Sequence, residues 1–133
     1  MENKKYNQYG EAAIRATEIG GHPKEAWQKA AKAIMPTRST QEKGCPRTAF
    51  LGLCEEGLVK GIEKGKYTRR YKGSESPNKT HAIKAYTILK ENNDNGNLTA
   101  PKLWKKLNIG TKSHNGQMDV ILGLWNKGYL AQS

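Results

Sequence analysis

The sequence predicts a mainly α-helical protein with one short β-hairpin, built from two tandem three-helix units at residues 1–73 and 74–133. Three observations lead to this prediction. Apolar residues recur at the i, i+3, i+4, i+7 spacing of a buried helix face. Glycine and proline interrupt the helical runs where helices usually end or begin. Two apolar phrases also occur twice, in the same order.

The first unit contains three predicted helices. Residues 8–19 form the first, which a pair of glycines ends. Pro23 suits the first turn of the second helix, and Pro36 closes it. After a polar loop, "PRTAFLGLCEE" at residues 46–56 forms the third helix, and Gly57 ends it because glycine readily adopts a left-handed conformation.

A basic hairpin follows the third helix. In "LVKGIEKGKYTRRYKG", residues 58–73, β-prone residues flank "EKGK", so the segment is predicted to pair as two strands with Gly65 in the turn. It carries one acidic residue, Glu63. Its six basic residues are Lys60, Lys64, Lys66, Arg69, Arg70 and Lys72.

The second unit repeats the order of helices. Residues 77–92 form its first predicted helix, and Thr99 is a good N-cap for the second, at 100–107. The last helix opens near Ser113 and continues through "HNGQMDVILGLWNK", with an apolar stripe typical of a buried face. Gly128 ends it.

The repeated phrases indicate a tandem duplication. "AIRATEI" at 13–19 matches "AIKAYTI" at 82–88, and "AFLGLCEEGLV" at 49–59 matches "VILGLWNKGYL" at 120–130. The offsets, 69 and 71 residues, are nearly equal, and a Pro-Lys pair followed by tryptophan lies between the blocks in both halves. A glycine inside the third helix of both halves costs about 1 kcal/mol, which predicts a close approach of another helix there.

The net charge of the chain indicates which class of partner it binds. The net charge is +11, and residues 1–66 hold 12 basic and 8 acidic side chains against 11 and 4 in residues 67–133. Such an excess attracts polyanions. The sequence shows no apolar stretch near the roughly 18 residues of a membrane span and no signal-peptide core, so we expect a cytoplasmic protein that does not bind a membrane.

No catalytic constellation is visible in the sequence. The three histidines lie far apart, and no nucleophile motif or phosphate-binding glycine loop is present. Cys45 and Cys54 are too few for a disulfide framework and lack the spacing of a zinc site. We therefore expect no enzymatic activity, no metal and no cofactor.

Two resemblances follow from these residues. "LTAPKLWKKLNIGTKSHNGQMDVILGLWNKGYL" resembles the helix-turn-helix core of winged-helix DNA-binding domains, and the first half resembles it more weakly, with a longer loop before its third helix and a better wing after it. "GCPRTAFLGLCEEGLV" resembles a family of small bacterial proteins of uncharacterised function, which implies no activity.

The winged-helix resemblance implies a set of contact residues. In that family the third helix enters the major groove and the wing contacts phosphates or the minor groove. The second unit would offer Lys112, Ser113, His114, Asn115 and Gln117 to the groove. The first unit would offer Lys43, Arg47 and Thr48, with the six basic residues of the hairpin and Tyr67 as its wing.

The function predicted from charge and pattern is nucleic-acid binding, with duplex DNA as the expected partner and a regulatory or accessory role. Other interpretations remain open. The hairpin could be only a solvent-exposed strand edge that its Lys and Arg side chains protect from pairing with another chain. Residues 113–115 could serve as capping and turn residues alone. The second unit, which has no room for a full wing, could serve as a packing or homodimerisation unit. The alternative function is a protein–protein adaptor, which predicts an apolar exposed face.

Overall fold

The computed structural model describes residues 6–41, 44–68, 77–92, 99–107 and 116–131. Its helices are α1 (Gln8–Ile19), α2 (Pro23–Ile34), α3 (Arg38–Gln41), α4 (Gly44–Glu55), α5 (Pro77–Asn92), α6 (Ala100–Leu107) and α7 (Gln117–Asn126). The mainly helical prediction is confirmed. Among these described helices, none has both the length and the apolar character needed to cross a membrane.

Local signals account for most helix ends. The Asn7 side chain caps α1 by accepting the N–H of Tyr9 at 2.9 Å. Gly20, with φ +72°, ends that helix. The carbonyl of Thr99 accepts the N–H of Leu103 at 2.8 Å and starts α6. The helices predicted at 8–19, 77–92 and 100–107 therefore have the observed bounds, whereas the short α3 lies in the segment predicted as a polar loop.

The predicted β-hairpin is not confirmed. Within its described part, residues 58–68, the chain forms no strands that pair with each other. The only β-type contact among the described residues is an isolated antiparallel bridge between Val59 and Leu130. The chain turns at Gly61, φ +80°, and Ile62 is buried at 6% exposure, so the apolar residues pack into the core instead of extending along a strand. Residues 69–73 of the predicted hairpin lie outside the described residues.

The buried apolar side chains belong to one cluster that draws on both halves of the chain. α7 lies at its centre, because every residue from Gln117 to Trp125 is buried. α1 packs on α2 and α7, α5 packs on α4, and α4 crosses α7. Cys54 of α4 is part of this core, and burial raises the pKa of its thiol. The division into units at residues 73 and 74 falls outside the described residues and stays a prediction.

The two halves are joined by bonds that come in matched pairs. The N–H of Lys60 donates to the carbonyl of Tyr129 at 2.8 Å, and the N–H of Ala131 donates to the carbonyl of Leu58 at 2.8 Å. Lys60 and Ala131, like Leu58 and Tyr129, are equivalent at the 71-residue offset. The bridge thus joins equivalent positions, which is the bond pattern that an approximate two-fold axis produces.

The ends of α4 and α7 show the same correspondence. The N–H of Gly57 donates to the carbonyl of Cys54 at 3.0 Å, and the N–H of Leu58 donates to that of Leu53 at 3.0 Å. The equivalent bonds after α7, Gly128 to Trp125 and Tyr129 to Leu124, measure 3.0 and 2.8 Å. Both ends are Schellman motifs with a left-handed glycine, as the sequence predicts.

The glycines inside α4 and α7 allow close helix crossings, as predicted. A Cβ atom added at Gly123 would lie 2.7 Å from the carbonyl oxygen of Gly10 in α1. One added at Gly52 would lie 2.5 Å from the Cγ of Lys79 in α5. The first helix of each half therefore packs on the third helix of the other half, so the two halves interlock.

Candidate nucleic-acid interface

The segment that follows the bridge forms an exposed basic loop, defined here as residues 60–68. Its three lysines, Lys60, Lys64 and Lys66, are exposed, and so is the single acidic residue, Glu63. The chain continues beyond Thr68 into Arg69, Arg70 and Lys72, which lie outside the described residues. The loop thus presents three cations against one anion on its described part.

The first end of the basic loop is fixed to the core. The bridge between Val59 and Leu130 and the bond from Lys60 to Tyr129 hold its start against the second half. Ile62 then enters the core at 6% exposure, and its N–H lies 3.3 Å from the carbonyl of Val59. The backbone of Lys60 is therefore held in place, while its side chain is exposed to solvent.

The second end of the basic loop is held by one carboxylate, that of Glu55 at the end of α4. Its Oε1 accepts the N–H of Tyr67 and the N–H of Thr68, both at 2.9 Å. The Thr68 hydroxyl lies 3.0 Å from each carboxylate oxygen. Backbone N–H groups bound to a charged acceptor form the stronger class of hydrogen bond, so this end of the loop is also fixed.

Lys79 of α5 completes this group. Its side chain is 3% exposed, and its Nζ contacts Oε2 of Glu55 and lies 2.8 Å from Oε2 of Glu56. Burial raises the pKa of Glu55, but the hydrogen bonds from Lys79, Thr68 and Tyr67 outweigh it and lower that pKa from 4.5 to about 2. Glu55 therefore stays ionised inside a pair of charges that is largely removed from water.

Tyr67 packs its ring inward instead of presenting it to solvent on all sides. The ring meets that of His22, at the start of α2, in an edge contact with centroids 5.5 Å apart. Its hydroxyl donates to the carbonyl of Glu63 at 2.7 Å. Tyr67 therefore helps to shape the loop, and the predicted stacking of this ring on bases stays a prediction.

The other predicted contact residues are placed differently. Arg47 is exposed on α4 and Thr48 is half-buried. Gln117 is 3% exposed at the start of α7, so its side chain does not reach the surface. The remaining positions lie outside the described residues: Lys43, Arg69, Arg70, Lys72, Lys112, Ser113, His114 and Asn115. Among the described candidates, the structure brings together the loop residues and leaves Arg47 on a separate helix.

The winged-helix interpretation is not confirmed. It requires a third helix with one face open to the DNA groove, but α7 is buried from Gln117 to Trp125. The crossing of α1 over Gly123 and the packing of α4 and α5 cover it on several sides. The same apolar stripe that resembles a recognition helix is, in this fold, the stripe of a central core helix.

Sequence reasoning missed a second basic surface, on α6. Lys102, Lys105 and Lys106 are exposed there, and α6 itself contains no acidic residue. Lys84 of α5 joins them, because its Nζ donates to the carbonyl of Leu107 at 3.0 Å, at the negative end of the α6 dipole. The polar face of "APKLWKKL" carried the signal, since its lysines alternate with buried Leu and Trp at helical spacing.

Metal binding has no visible support in the part of the chain that the structure describes. No group of three His, Cys, Asp or Glu side chains comes together there in a way that could hold a metal ion. The expectation of a protein without metal or cofactor stays a prediction.

One comparison with known proteins gives a match. The family of unknown function DUF6979 matches residues 6–131, which is nearly the whole chain. Neither the curated proteins nor the solved structures gave a match. This agrees with the resemblance to an uncharacterised family and gives no support to a winged-helix relationship.

Proposed function

The chain belongs to the DUF6979 family, whose function is unknown, and we propose from its own residues that it is a non-enzymatic nucleic-acid-binding protein. Its ligand is duplex DNA, and its role is that of a regulator or accessory factor in the cytoplasm. The observation that carries the proposal is the basic loop, a cationic segment whose two ends are fixed while its lysines face solvent.

The distribution of charge favours a polyanion as ligand. The net charge is +11. Two carboxylates, those of Glu55 and Glu56, contact the buried Lys79, and they are thus positioned to neutralise an internal charge rather than the surface lysines. The exposed lysines of the basic loop and of α6 therefore produce a field that attracts phosphate groups.

The fixed ends of the basic loop favour binding through its backbone geometry. A flexible loop would lose conformational entropy when it docks, whereas a loop already held by Tyr129 and Glu55 loses less. Lys64 and Lys66 lie between these two fixed ends of the loop, and both side chains are exposed to solvent. Lysines contact phosphates as point charges, so this arrangement suits sequence-independent backbone binding.

The adaptor alternative finds less support. It predicts an exposed apolar face, but among the described residues the exposed large apolar side chain is Ile19, at 42%. A single such residue is normal for a protein surface and does not form a docking patch.

Charge reversal within the basic loop tests the proposal. We expect wild-type protein to bind a 20-base-pair mixed-sequence duplex with a slope of log K against log salt of about −4.5, as for about five phosphate contacts. The double variant Lys64→Glu/Lys66→Glu should lose roughly 10- to 100-fold in affinity at 50 mM salt, with a slope shallower by about 1.8. Fluorescence anisotropy measures both quantities.

A charge-matched control separates site binding from a general effect of net charge. Lys29→Glu/Lys32→Glu makes the same change on the exposed side of α2. We expect it to weaken binding less than about threefold. Equal losses in the two double variants, or no binding of the wild-type protein at 50 mM salt, would contradict the proposal.

A further inference from the structure

We propose that Glu55 is a positioning residue for the basic loop: its carboxylate, held by Lys79, fixes the backbone at Tyr67 and Thr68 so that the preceding lysines meet phosphates. This inference rests on the proposed function. Glu55 lies at the end of α4 and reaches a segment 12 and 13 residues further along the chain. It is thus the link between the helical core and the far end of the loop.

The carboxylate of Glu55 is mostly buried, and its contacts are hydrogen bonds from the loop and from Lys79. It is 15% exposed, and its two oxygens accept from Tyr67 N, Thr68 N, the Thr68 hydroxyl and Lys79 Nζ. Lys79 orients the carboxylate from the α5 side and balances its charge. A carboxylate with these donors holds two consecutive peptide groups in one geometry.

The ion pair of Glu55 with Lys79 is not repeated at the positions that the two-fold relation makes equivalent. The equivalents of Glu55 and Glu56 at the 71-residue offset are Asn126 and Lys127, and the equivalent of Lys79 at the 69-residue offset is Gly10. Asn126 uses its Nδ2 to donate to the carbonyl of Leu122 within its own helix, at 2.7 Å. The ion pair joins Glu55 of the first half to Lys79 of the second, beside the basic loop. At the equivalent positions on the other side of the two-fold relation, Asn126 and Gly10 replace the two charged residues.

Two explanations of Glu55 predict opposite results for duplex binding. If Glu55 acted only as a negative charge close to DNA, its neutralisation would tighten binding. If it positions the loop, Glu55→Gln should weaken binding although the protein becomes more positive. Glu56→Gln is the matched control, because Glu56 touches the same lysine and is 43% exposed but has no described bond to the loop.

The experiment measures duplex affinity of full-length wild type, Glu55→Gln and Glu56→Gln by anisotropy at several salt concentrations. We expect Glu55→Gln to bind at least about fivefold more weakly, with a slope shallower by about 0.9 to 1.8 for the loss of one or two phosphate contacts. Glu56→Gln should bind as tightly as the wild type or more tightly. Tighter binding by both variants would overturn the proposal.

A measurement without DNA separates this proposal from the proposed function. In NMR spectra, loss of the carboxylate should move the amide proton signals of Tyr67 and Thr68 upfield in Glu55→Gln and leave them in place in Glu56→Gln. Unchanged Tyr67 and Thr68 amides in Glu55→Gln would overturn the positioning role even if wild-type protein binds DNA. Changed amides with a wild type that does not bind DNA would overturn the proposed function and with it the role in DNA binding.

A second variant covers the case in which Glu55→Gln fails to fold. Thr68→Val removes one donor to Glu55 and keeps the ion pair with Lys79. We expect it to bind the duplex about two- to threefold more weakly, with shifted amide signals at residues 67 and 68. Wild-type affinity together with wild-type amide signals in Thr68→Val would overturn the proposal.

Discussion

The carboxylate of Glu55 shows how one side chain links the fold to the candidate site. Its pKa falls from 4.5 to about 2, because the bonds from Lys79, Thr68 and Tyr67 outweigh the effect of burial. The folded protein therefore keeps this group ionised at pH values where the unfolded chain has already taken up a proton. Stability from this group is complete above about pH 4.5 and is lost as the pH falls towards 2.

Replacing Glu55 should change how stability depends on pH. We expect Glu55→Gln to lower the free energy of unfolding at pH 7 by about 2 kcal/mol, since it removes charged hydrogen bonds. Between pH 4.5 and 2, the variant should lose stability less steeply than the wild type, because residue 55 no longer takes up a proton on unfolding. Urea unfolding at a series of pH values measures this, and parallel curves for the two proteins would contradict the assignment.

The roles of Glu55 and Lys79 could not be predicted from the sequence. Lys79 stands near the start of a helix in a polar stretch, where lysine is usually exposed, yet it is 2% exposed. Its partners come from a different helix, and the bonds of Glu55 to Tyr67 and Thr68 depend on how the loop folds back. Such pairings across elements leave no periodic signal in a sequence.

Glycine at the crossings of α1 with α7 and of α4 with α5 shows what could be predicted for the helices. A glycine inside a helix is unfavourable unless packing requires it, and the repeated glycine correctly indicated close approach at Gly52 and Gly123. The two neighbours differ in kind, because Gly123 faces the backbone of Gly10 and Gly52 faces the side chain of Lys79. A side chain can move to make room for an added methyl group more easily than the backbone of a packed helix can.

A methyl group at Gly123 should therefore be costly. We expect Gly123→Ala to lower the free energy of unfolding by about 2–3 kcal/mol, since the added Cβ would lie 2.7 Å from the Gly10 carbonyl oxygen and force α1 and α7 apart. Gly44→Ala is the control, because an added Cβ there meets no atom within 4 Å. We expect this variant to leave the free energy of unfolding unchanged or to raise it by up to about 1 kcal/mol. Thermal or urea unfolding compares them, and equal stabilities would contradict the crossing.

The helices were easier to predict than the β segment for a physical reason. Caps, prolines and apolar periodicity act within a few residues, so α1, α5 and α6 have their predicted bounds. Strand pairing depends on a partner elsewhere in the chain. The sequence places Val59 in a local hairpin, whereas in the structure it bridges to Leu130 of the other half.

At the scale of the molecule, the two halves of the chain interlock across the described residues. α1 reaches across to α7 and α5 reaches across to α4, and the bridge between Val59 and Leu130 joins equivalent positions. The sequence repeat indicates a duplication, which stays a prediction, but it does not indicate that the first helix of each half packs on the other half. The winged-helix interpretation is not confirmed, because it treats each half as complete and requires an open face on α7 where α1 packs.

Asymmetry within this paired architecture is where the function is proposed to lie. The basic loop and Glu55 belong to the first half, and Lys79, which holds Glu55, comes from the second half. The equivalent positions are Asn126 in the second half and Gly10 in the first, so the ion pair has no counterpart there. The lysine-rich face of α6 adds positive charge in the second half. The sequence predicts the loop lysines as contact residues from the winged-helix resemblance and the charge of the segment, which stays a prediction, and the structure shows the carboxylate that fixes the far end of the loop.

An NMR titration of full-length protein with a 20-base-pair duplex at 50 mM salt tests the central claim most directly. The account predicts that amide signals of residues 60–68 shift or broaden first and most strongly as duplex is added, while those of the buried α7, including Gln117, change little. Perturbation that avoids residues 60–68, or spectra unchanged at saturating duplex, would contradict it.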